Sequence, residues 1–263
     1  MSDKTIPDIT EVIAVTDPGE KGREHHVWGD RLVISCGNVM AWLFIVLIFA
    51  IVSQIFLRSA GHNQAWLDDL QWWLYGLAVL TGFAYATTTE SHVRVDIFYD
   101  TFSESKRAKI DIFALAWLLL PFILIMTDIL FHYAVSSWAA REGSDSPNGL
   151  HGLYLLKTAL PILFVLAAIA CWAAYYRNLR KLTNPTLDKQ LLFAFPATWF
   201  IAERTVFYCL WWFTRLTQPD LNPRRISRES IFDYSAWISL VILLSIILLA
   251  YFRSRTTQKT NGA

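Results

Sequence analysis

Five long apolar runs constrain the fold of this 263-residue chain more than any other feature of its sequence. A membrane-spanning helix needs roughly 18 or more predominantly apolar residues, because hydrocarbon satisfies no backbone polar group. The runs are Leu32–Leu57, Leu70–Thr87, Ile112–Trp138, Leu153–Tyr176 and Ile231–Tyr251. Hydrophobic residues make up 54 % of the chain, which is too many for an ordinary soluble domain. We therefore predict an all-α integral membrane protein.

A sixth segment, Leu191–Thr214, leaves two alternatives open. Glu203 and Arg204 lie at its middle, and a charge at the bilayer centre costs about 2.5–3.5 kcal/mol on insertion scales. The segment either crosses the membrane, with the two charges packed against another helix, or lies flat in the interface. We predict that it crosses, which gives six membrane segments: a four-span helical core and a C-terminal hydrophobic hairpin.

The basic residues predict the orientation, since lysine and arginine accumulate in the cytoplasmic loops of membrane proteins. They cluster after the second run, after the fourth run and in the tail: Arg94, Lys106, Arg107, Lys109; Arg177, Arg180, Lys181; Arg253, Arg255 and Lys259. The loops 59–69 and 139–152, at the opposite face, carry more acidic than basic residues. Both termini are therefore predicted to be cytoplasmic, which requires an even number of crossings.

The alternation of polar and apolar segments predicts four parts. They are a cytoplasmic N-terminal segment (1–30), a four-helix membrane core (31–182), a linker (183–190), and additional C-terminal helices with a basic tail (191–263). The first part has no apolar stretch typical of a signal peptide, so the first run is expected to stay in the membrane as an anchor. Pro121 is expected to kink the third run.

The sequence lacks the motifs of an ATP-driven pump or of a common enzyme. No G-x-x-x-x-G-K-[ST] loop, Gly-rich dinucleotide fingerprint, H-E-x-x-H or G-x-S-x-G is present. The three cysteines lie singly inside apolar runs and form no C-x-x-C pair. We predict no catalytic, cofactor-binding or metal-binding residue, no cofactor, and no enzymatic activity.

Three histidines keep an alternative function open. His62, His132 and His151 all fall near the predicted outer face, where a four-helix bundle can hold haem between facing histidines. Only His132 lies on one of the five runs. A membrane anchor subunit of a redox enzyme is therefore the alternative.

Several motifs between Leu32 and Leu182 resemble one known family. They are Trp66, Asp68 and Asp69 before the second run, a G-x-x-Y pattern at Gly82 and Tyr85, H-V-R-V-D at His92–Asp96, R-E-G-S-D-S-P-N-G-L after the third run, and Lys157 before Pro161. These motifs resemble the small membrane subunit, DctQ type, of tripartite ATP-independent periplasmic (TRAP) transporters, and are most similar to the mannitol/chloroaromatic subgroup. The sequence departs from the family where Ser-Pro-Asn-Gly replaces a Gly-Gly-Leu-Pro-like turn, and the segment 191–263 lies outside the resemblance.

The resemblance implies a division of labour. A periplasmic substrate-binding protein captures an organic acid, and a large membrane subunit of DctM type moves it with a sodium gradient. The small subunit is then a non-catalytic scaffold, a multi-pass protein of the bacterial inner membrane with lipid and these two proteins as partners and no nucleic acid. The sequence does not identify the cargo, because specificity would lie in the partners.

The same resemblance suggests where the partners bind. His92, Arg94 and Asp96, at the cytoplasmic edge of the second run, form either a positive-inside anchor with local ion pairs or a contact with the large subunit. Asp68 and Asp69 favour the start of a helix electrostatically, and one of them is expected to serve there. The other, together with Glu142 and Asp145, faces either a docked binding protein or solvent. Further residues assigned to the family motif or to outer-loop contacts are Trp66, Glu142, Asp145 and Lys157.

Overall fold

The computed structural model describes residues 23–92 and 99–261, and helices are the regular secondary structure found in that part of the chain. We number the helices α1 (Trp28–Ala41), α2 (Leu43–Ser59), α3 (Ala65–Thr89), α4 (Glu104–Ala140), α5 (Leu153–Leu182), α6 (Leu187–Phe193), α7 (Phe195–Thr217), α8 (Pro223–Ile226) and α9 (Ser235–Asn261). Short 3-10 turns occupy Arg23–His25, Tyr99–Thr101 and Ser230–Tyr234.

Four stretches within the described residues are long and apolar enough to cross a membrane: Trp28–Ser59, Glu104–Ala140, Leu153–Leu182 and Ser230–Thr256. They contain four of the predicted runs, and the all-α membrane fold is confirmed. The other two predicted spans fold as α3 and α7, but neither meets the same criterion of length and apolar composition. Aromatic, glycine and threonine residues make α3 less apolar. Glu203 and Arg204 interrupt the apolar sequence of α7. The count of six crossings and the orientation stay predictions.

Pro121 is preceded by an irregular turn of α4. Residues Ala114–Leu119 form a π-helical segment, and the N–H of Leu120 bonds the carbonyl of Leu115, five residues earlier. Proline has no N–H to donate, and its ring crowds the carbonyl four residues before it, here that of Trp117. The wider turn relieves this crowding, so the irregularity lies on the N-terminal side of the proline.

The chain divides into two compact units. The first comprises the described residues up to Phe102 together with Ile125–Arg177, and the second comprises Ser103–Leu124 together with the described residues from Asn178 onward. In the first unit, α1 and α2 pack against α3. In the second unit, α6 and α7 pack against α9, and Trp117 Nε1 donates a 2.8 Å hydrogen bond to the Phe193 carbonyl.

Glycine allows the helices of the first unit to approach closely. A Cβ added at Gly37 would lie 2.5 Å from Tyr85 Cδ2, and one added at Gly29 would lie 3.0 Å from Ile169 Cγ2. Small residues commonly occupy such contacts, because helices in lipid associate through close packing rather than through the hydrophobic effect. Gly82 differs, since a Cβ there would meet no atom within 4 Å.

We predict that Gly37→Ala destabilises the purified protein, whereas Gly82→Ala does not. Overpacking against the Tyr85 ring costs about 1–3 kcal/mol, which outweighs a gain of up to about 1 kcal/mol in helix propensity. Thermal unfolding in detergent measures both variants against the parent. Equal melting temperatures for the two variants would show that α1 and α3 are not in close contact at Gly37.

Candidate functional site

Asp68 and Asp69, in the first turns of α3, bind two different parts of the first unit. Asp68 accepts a hydrogen bond from the Gln54 side chain of α2, and its Oδ2 lies 3.7 Å from Arg58 Nη2. Asp69 Oδ2 accepts the backbone N–H of Leu150 at 2.8 Å. No side chain caps the helix at Gln64. The two carboxylates therefore join the start of α3 to α2 and to the loop between α4 and α5.

That loop, residues 141–152, is a compact turn. The N–H of Gly149 bonds the Ser146 carbonyl at 2.9 Å, and Asn148 takes a φ of 62°. A Cβ at Gly149 would lie 2.4 Å from Ser144 Oγ and 2.7 Å from Asp69 Oδ2, so only glycine fits beside the carboxylate. The Ser-Pro-Asn-Gly departure from the family pattern thus still forms a tight turn.

Glu142 and Lys157, both predicted as outer-loop contacts, pair with each other. Lys157 Nζ lies 2.5 Å from Glu142 Oε1 and 4.1 Å from the centroid of the Tyr133 ring. Ser137 Oγ donates a second hydrogen bond to Glu142, at 2.7 Å. The hydrogen bond from Lys157 holds the pKa of the Glu142 carboxyl below its usual value, and the hydrogen bond from Ser137 adds to this effect. Lys157 is buried, so this pair fixes the base of the loop to α5.

Asp145 and Trp66 are the exposed members of the predicted set at this end. Asp145 lies beside Ser146 and Pro147 at the solvent-exposed tip of the loop. Trp66 is 39 % exposed, and its Nε1 donates a 3.1 Å hydrogen bond to Gln64 Oε1. Asp145 is therefore exposed to solvent, while Glu142, Lys157 and Asp69 hold the loop that carries it.

At the other end of α3, Arg177 joins three helices of the first unit. Its guanidinium forms an ion pair with Asp30 of α1, donates a 2.7 Å hydrogen bond to the Thr88 carbonyl of α3, and lies 3.5 Å from Glu90 Oε1. Asp30 is fully buried, and its other oxygen accepts the N–H of Val27 at the start of α1. We call Arg177, Asp30 and the Thr88 carbonyl the arginine clamp.

Sequence reasoning placed Arg177 among the basic residues that set orientation and did not identify Asp30. The sequence did contain one signal for Asp30. It is the third residue of α1 and stands just before the first apolar run. An acidic residue at that position favours a helix start. Nothing in the linear sequence pairs it with an arginine more than a hundred residues away.

His92 folds back on the last turn of α3. The helix ends at Glu90, which takes a left-handed φ of 54°, and His92 Nε2 then lies 3.1 Å from Thr87 Oγ1. The His92 ring also lies 5.6 Å, between centroids, from that of Phe83. Arg94 and Asp96, the other charged members of this motif, lie outside the described residues. Their predicted contact with a partner stays a prediction.

These polar clusters hold helix ends together. Among the described residues, no group of three or more histidine, cysteine, aspartate or glutamate side chains is arranged to hold a metal ion. The predicted site residues fall into an outer-loop group, with Asp68, Asp69, Glu142 and Lys157, and a separate group at the end of α3. Both groups bind parts of the first unit to one another.

His26 is a buried histidine close to the arginine clamp. The side chain is only 8 % exposed, and its Nδ1 has no hydrogen-bond partner. Burial lowers the pKa of His26; Asp30 and Glu24 oppose that shift, and Arg177 and Arg23 add to it. The folded protein therefore favours the neutral imidazole.

We predict that the free energy of unfolding decreases as the pH falls below about 6.5, the ordinary pKa of histidine. Below that pH the His26 side chain is protonated in the unfolded chain but stays neutral in the folded chain. Unfolding is therefore favoured increasingly until the pH falls below the pKa of His26 in the folded chain. His26→Gln removes this component. Melting temperatures between pH 5 and pH 8 measure it, and an unchanged slope in the variant would show that other groups cause the dependence.

One family model matches this chain, over residues 39–181, and its description is "Tripartite ATP-independent periplasmic transporters, DctQ component". The matched range covers more than half of the sequence and contains α3, α4, the outer loop and all but the last residue of α5. No curated protein and no solved structure matches the chain. The mannitol/chloroaromatic subgroup stays a prediction, and 182–263 lies outside the match. The chain therefore belongs to the DctQ component family of the tripartite ATP-independent periplasmic transporters.

Proposed function

We propose that this chain is the small, non-catalytic scaffold subunit of a TRAP transporter. It supports a large membrane subunit of DctM type in sodium-gradient-driven uptake of an organic acid that a periplasmic binding protein delivers. Membership of the DctQ family supports the assignment to a transporter of several components. The family and the four apolar stretches make the chain a multi-pass protein of the bacterial inner membrane.

One observation carries the scaffold role: three charged side chains of the first unit bind other parts of the same unit. Asp30, Asp69 and Lys157 each bind a group on another helix or on the outer loop. A transport site would instead direct polar groups toward a cargo near the middle of the bilayer. Internal pairing fixes the helix ends, which is what a support for a moving partner requires.

The end of α3 is the proposed contact with the large subunit. The arginine clamp holds the Thr88 carbonyl, and Thr87 contacts His92, so the chain leaves α3 from a fixed position. Arg94 and Asp96 follow His92 in the sequence and are the proposed contact residues. Arginine suits such a contact because its planar fork binds a carboxylate and backbone carbonyls together.

The tip of the outer loop is the proposed contact with the binding protein. Asp145 is exposed there, and the loop beneath it is held by the Glu142–Lys157 pair and by Asp69. A fixed loop loses little conformational freedom when it binds a partner, which favours affinity. We therefore propose Asp145 as the contact residue, with Glu142, Lys157 and Asp69 as its supports.

We predict that Arg94→Ala or Asp96→Ala reduces both co-purification with the large subunit and uptake. Removing one partner of a bonded charge pair costs about 2–5 kcal/mol, whereas an exposed pair contributes about 0–1 kcal/mol. Lys109→Ala is the control, since Lys109 is an exposed cation of the predicted cytoplasmic side. Normal co-purification and transport by both variants would show that the motif is only a solvated anchor.

Reconstitution in liposomes tests the scaffold role. The chain alone, reconstituted in liposomes under a sodium gradient, is expected to accumulate no organic acid, while the three-component system does. Uptake by the chain alone would refute the proposal. A Soret band in the purified protein would support the redox anchor instead.

We predict that Asp145→Lys weakens docking of the binding protein by up to about fivefold, the effect of a charge pair worth about 1 kcal/mol at an interface rim. Asn63→Lys adds the same cation at another exposed residue of the predicted outer face and serves as the control. Affinity for the assembled membrane subunits is measured at low and high salt. Equal effects of the two variants would argue against a specific contact at Asp145.

A further inference from the structure

The apolar part of α9 shows where one boundary of the hydrocarbon lies in the second unit. Residues 236–252 contain no charged side chain, and a helix of that length extends about 25 Å. This is close to the roughly 30 Å of a bilayer core. Trp237 and Tyr251 stand near its two ends, where aromatic residues collect in membrane proteins. Ser235, the first residue of α9, therefore lies at the level of one boundary.

The middle of α7 lies at the same level. Ser235 Oγ lies 3.4 Å from Glu203 Oε1, and Trp199 Nε1 donates a 3.4 Å hydrogen bond to the Ala236 carbonyl. Glu203 also binds Arg204, whose Nε lies 2.6 Å from Glu203 Oε2. The two charges thus stand at the boundary of the hydrocarbon, where they cost far less than at the bilayer centre.

Helix α7 continues beyond this level. It is a single α-helix from Phe195 to Thr217, so the part after Glu203 extends about 20 Å further, at 1.5 Å per residue. The connection between α7 and α9, residues 218–234, folds back beside this part. The rings of Phe207 and Phe232 lie 5.1 Å apart, and α8 packs against α7.

The connection is too highly charged to lie in hydrocarbon. Its exposed charged side chains are Asp220, Arg225, Arg228, Glu229 and Asp233. Such groups stay in water, because moving a charge into hydrocarbon loses its hydration. Since the connection packs along the second half of α7, that half of the helix projects from the membrane.

The projecting half of α7 exposes an apolar surface on the side away from the connection. Glu203 and Phe207, which contact α9 and the connection, share one side of the helix with buried Thr214. The opposite side carries Cys209, Trp212, Phe213 and Leu216. The last three are 58 %, 65 % and 76 % exposed. We call these four residues the projecting face. A contiguous apolar patch outside the membrane marks a binding surface.

The size of the projecting face indicates what kind of protein covers it. Its three large side chains expose roughly 400 Å² together, given the roughly 150–250 Å² that an aromatic side chain can bury. A stable interface needs about 800 Å² on each partner, so this face alone is too small to hold a soluble protein. Ile201, three turns before Trp212 on the same side of α7, is also exposed and lies below the boundary. A partner that spans the membrane gains the missing area there.

We infer that the projecting face binds a helix of the large membrane subunit that leaves the hydrocarbon beside α7. The identity of this partner rests on the proposed function, whereas the projection rests on contacts within the second unit. Thr205, Cys209, Trp212 and Leu216 recur at intervals of four, three and four residues, the spacing with which one helix packs along another. The face lies outside the residues matched to the family, so this contact is additional to the one proposed at α3.

Spin-label depth measurements on the full chain in liposomes test the projection. Single nitroxides are placed at Thr205, Cys209 and Leu216, all exposed, after the other cysteines are replaced. Leu244 on α9 is the hydrocarbon control and Asn222 in the connection is the water control, both also exposed. Accessibility to oxygen and to a soluble nickel chelate gives the depth of each label.

The label at Thr205 is expected close to the headgroups and that at Leu216 about 16 Å further out, as accessible to the nickel chelate as the label at Asn222. A crossing by the whole of Leu191–Thr214 would instead place Thr205 near the depth of Leu244. A helix lying flat on the membrane would give the three labels one depth. Either result would overturn the inference.

Assembly with the large subunit tests the partner. In the complex, the nickel accessibility at Cys209 is expected to fall to that at Leu244, because close packing excludes water, while that at Asn222 stays unchanged. Trp212→Ser is expected to weaken the complex by about tenfold or more, as for a tryptophan buried in an interface. Trp237→Ser is the matched control, since it removes a tryptophan that is 65 % exposed on α9, away from the projecting face.

The possible failures are distinguishable. A complex in which Cys209 stays accessible would overturn the inference and leave the proposed function standing. Absence of any complex between the parent chain and the large subunit would overturn both. A label at Cys209 that is shielded in the chain alone and couples to a second label would identify another copy of the chain as the occupant, which would overturn the assignment to the large subunit.

Discussion

The Asp30–Arg177 ion pair is the interaction on which the first unit depends most. A fully buried carboxylate is tolerated only when it is paired, and loss of its partner costs about 3–5 kcal/mol. Arg177 satisfies Asp30 and also binds the carbonyl of Thr88, which the end of α3 leaves without a helical partner. One side chain of α5 therefore fixes the start of α1 and the end of α3.

The outer loop follows the same physical rule with different residues. Asp69 binds the Leu150 N–H, and buried Lys157 binds Glu142. Charges that would be costly near hydrocarbon are thereby satisfied within the unit, and the exposed Asp145 is left at the tip. A subunit built in this way is suited to hold a partner in place, as the proposed scaffold role requires.

Local composition predicted the helices well, but it did not predict their long-range pairs. The apolar runs around Leu32–Leu57 and Leu153–Tyr176 were recognisable because hydrocarbon demands length and low polarity. The Asp30–Arg177 and Glu142–Lys157 pairs depend on how the helices pack, which periodicity does not specify. The pairing of Glu142 could not be predicted for the same reason: a charged loop residue looks alike in sequence whether it faces solvent or an internal lysine.

The C-terminal segment shows the same limit at a larger scale. The segment Leu191–Thr214 left two alternatives open, a crossing helix or a helix flat in the interface, because Glu203 and Arg204 lie at its middle. The structure adds that Arg204 binds Glu203 and that Ser235, at the start of α9, has its Oγ 3.4 Å from Glu203 Oε1. That contact joins residues on either side of a long charged connection and has no signature in either helix alone.

The central claim, that the arginine clamp fixes the surface on which the large subunit rests, is tested most directly by Arg177→Gln in the assembled transporter. Arg180→Gln is the matched control, since Arg180 is exposed on the same helix. At equal amounts of folded small subunit, the account predicts that Arg177→Gln lowers both co-purification with the large subunit and sodium-driven uptake, while Arg180→Gln leaves both at the parent level. Normal assembly and uptake with Arg177→Gln would contradict it.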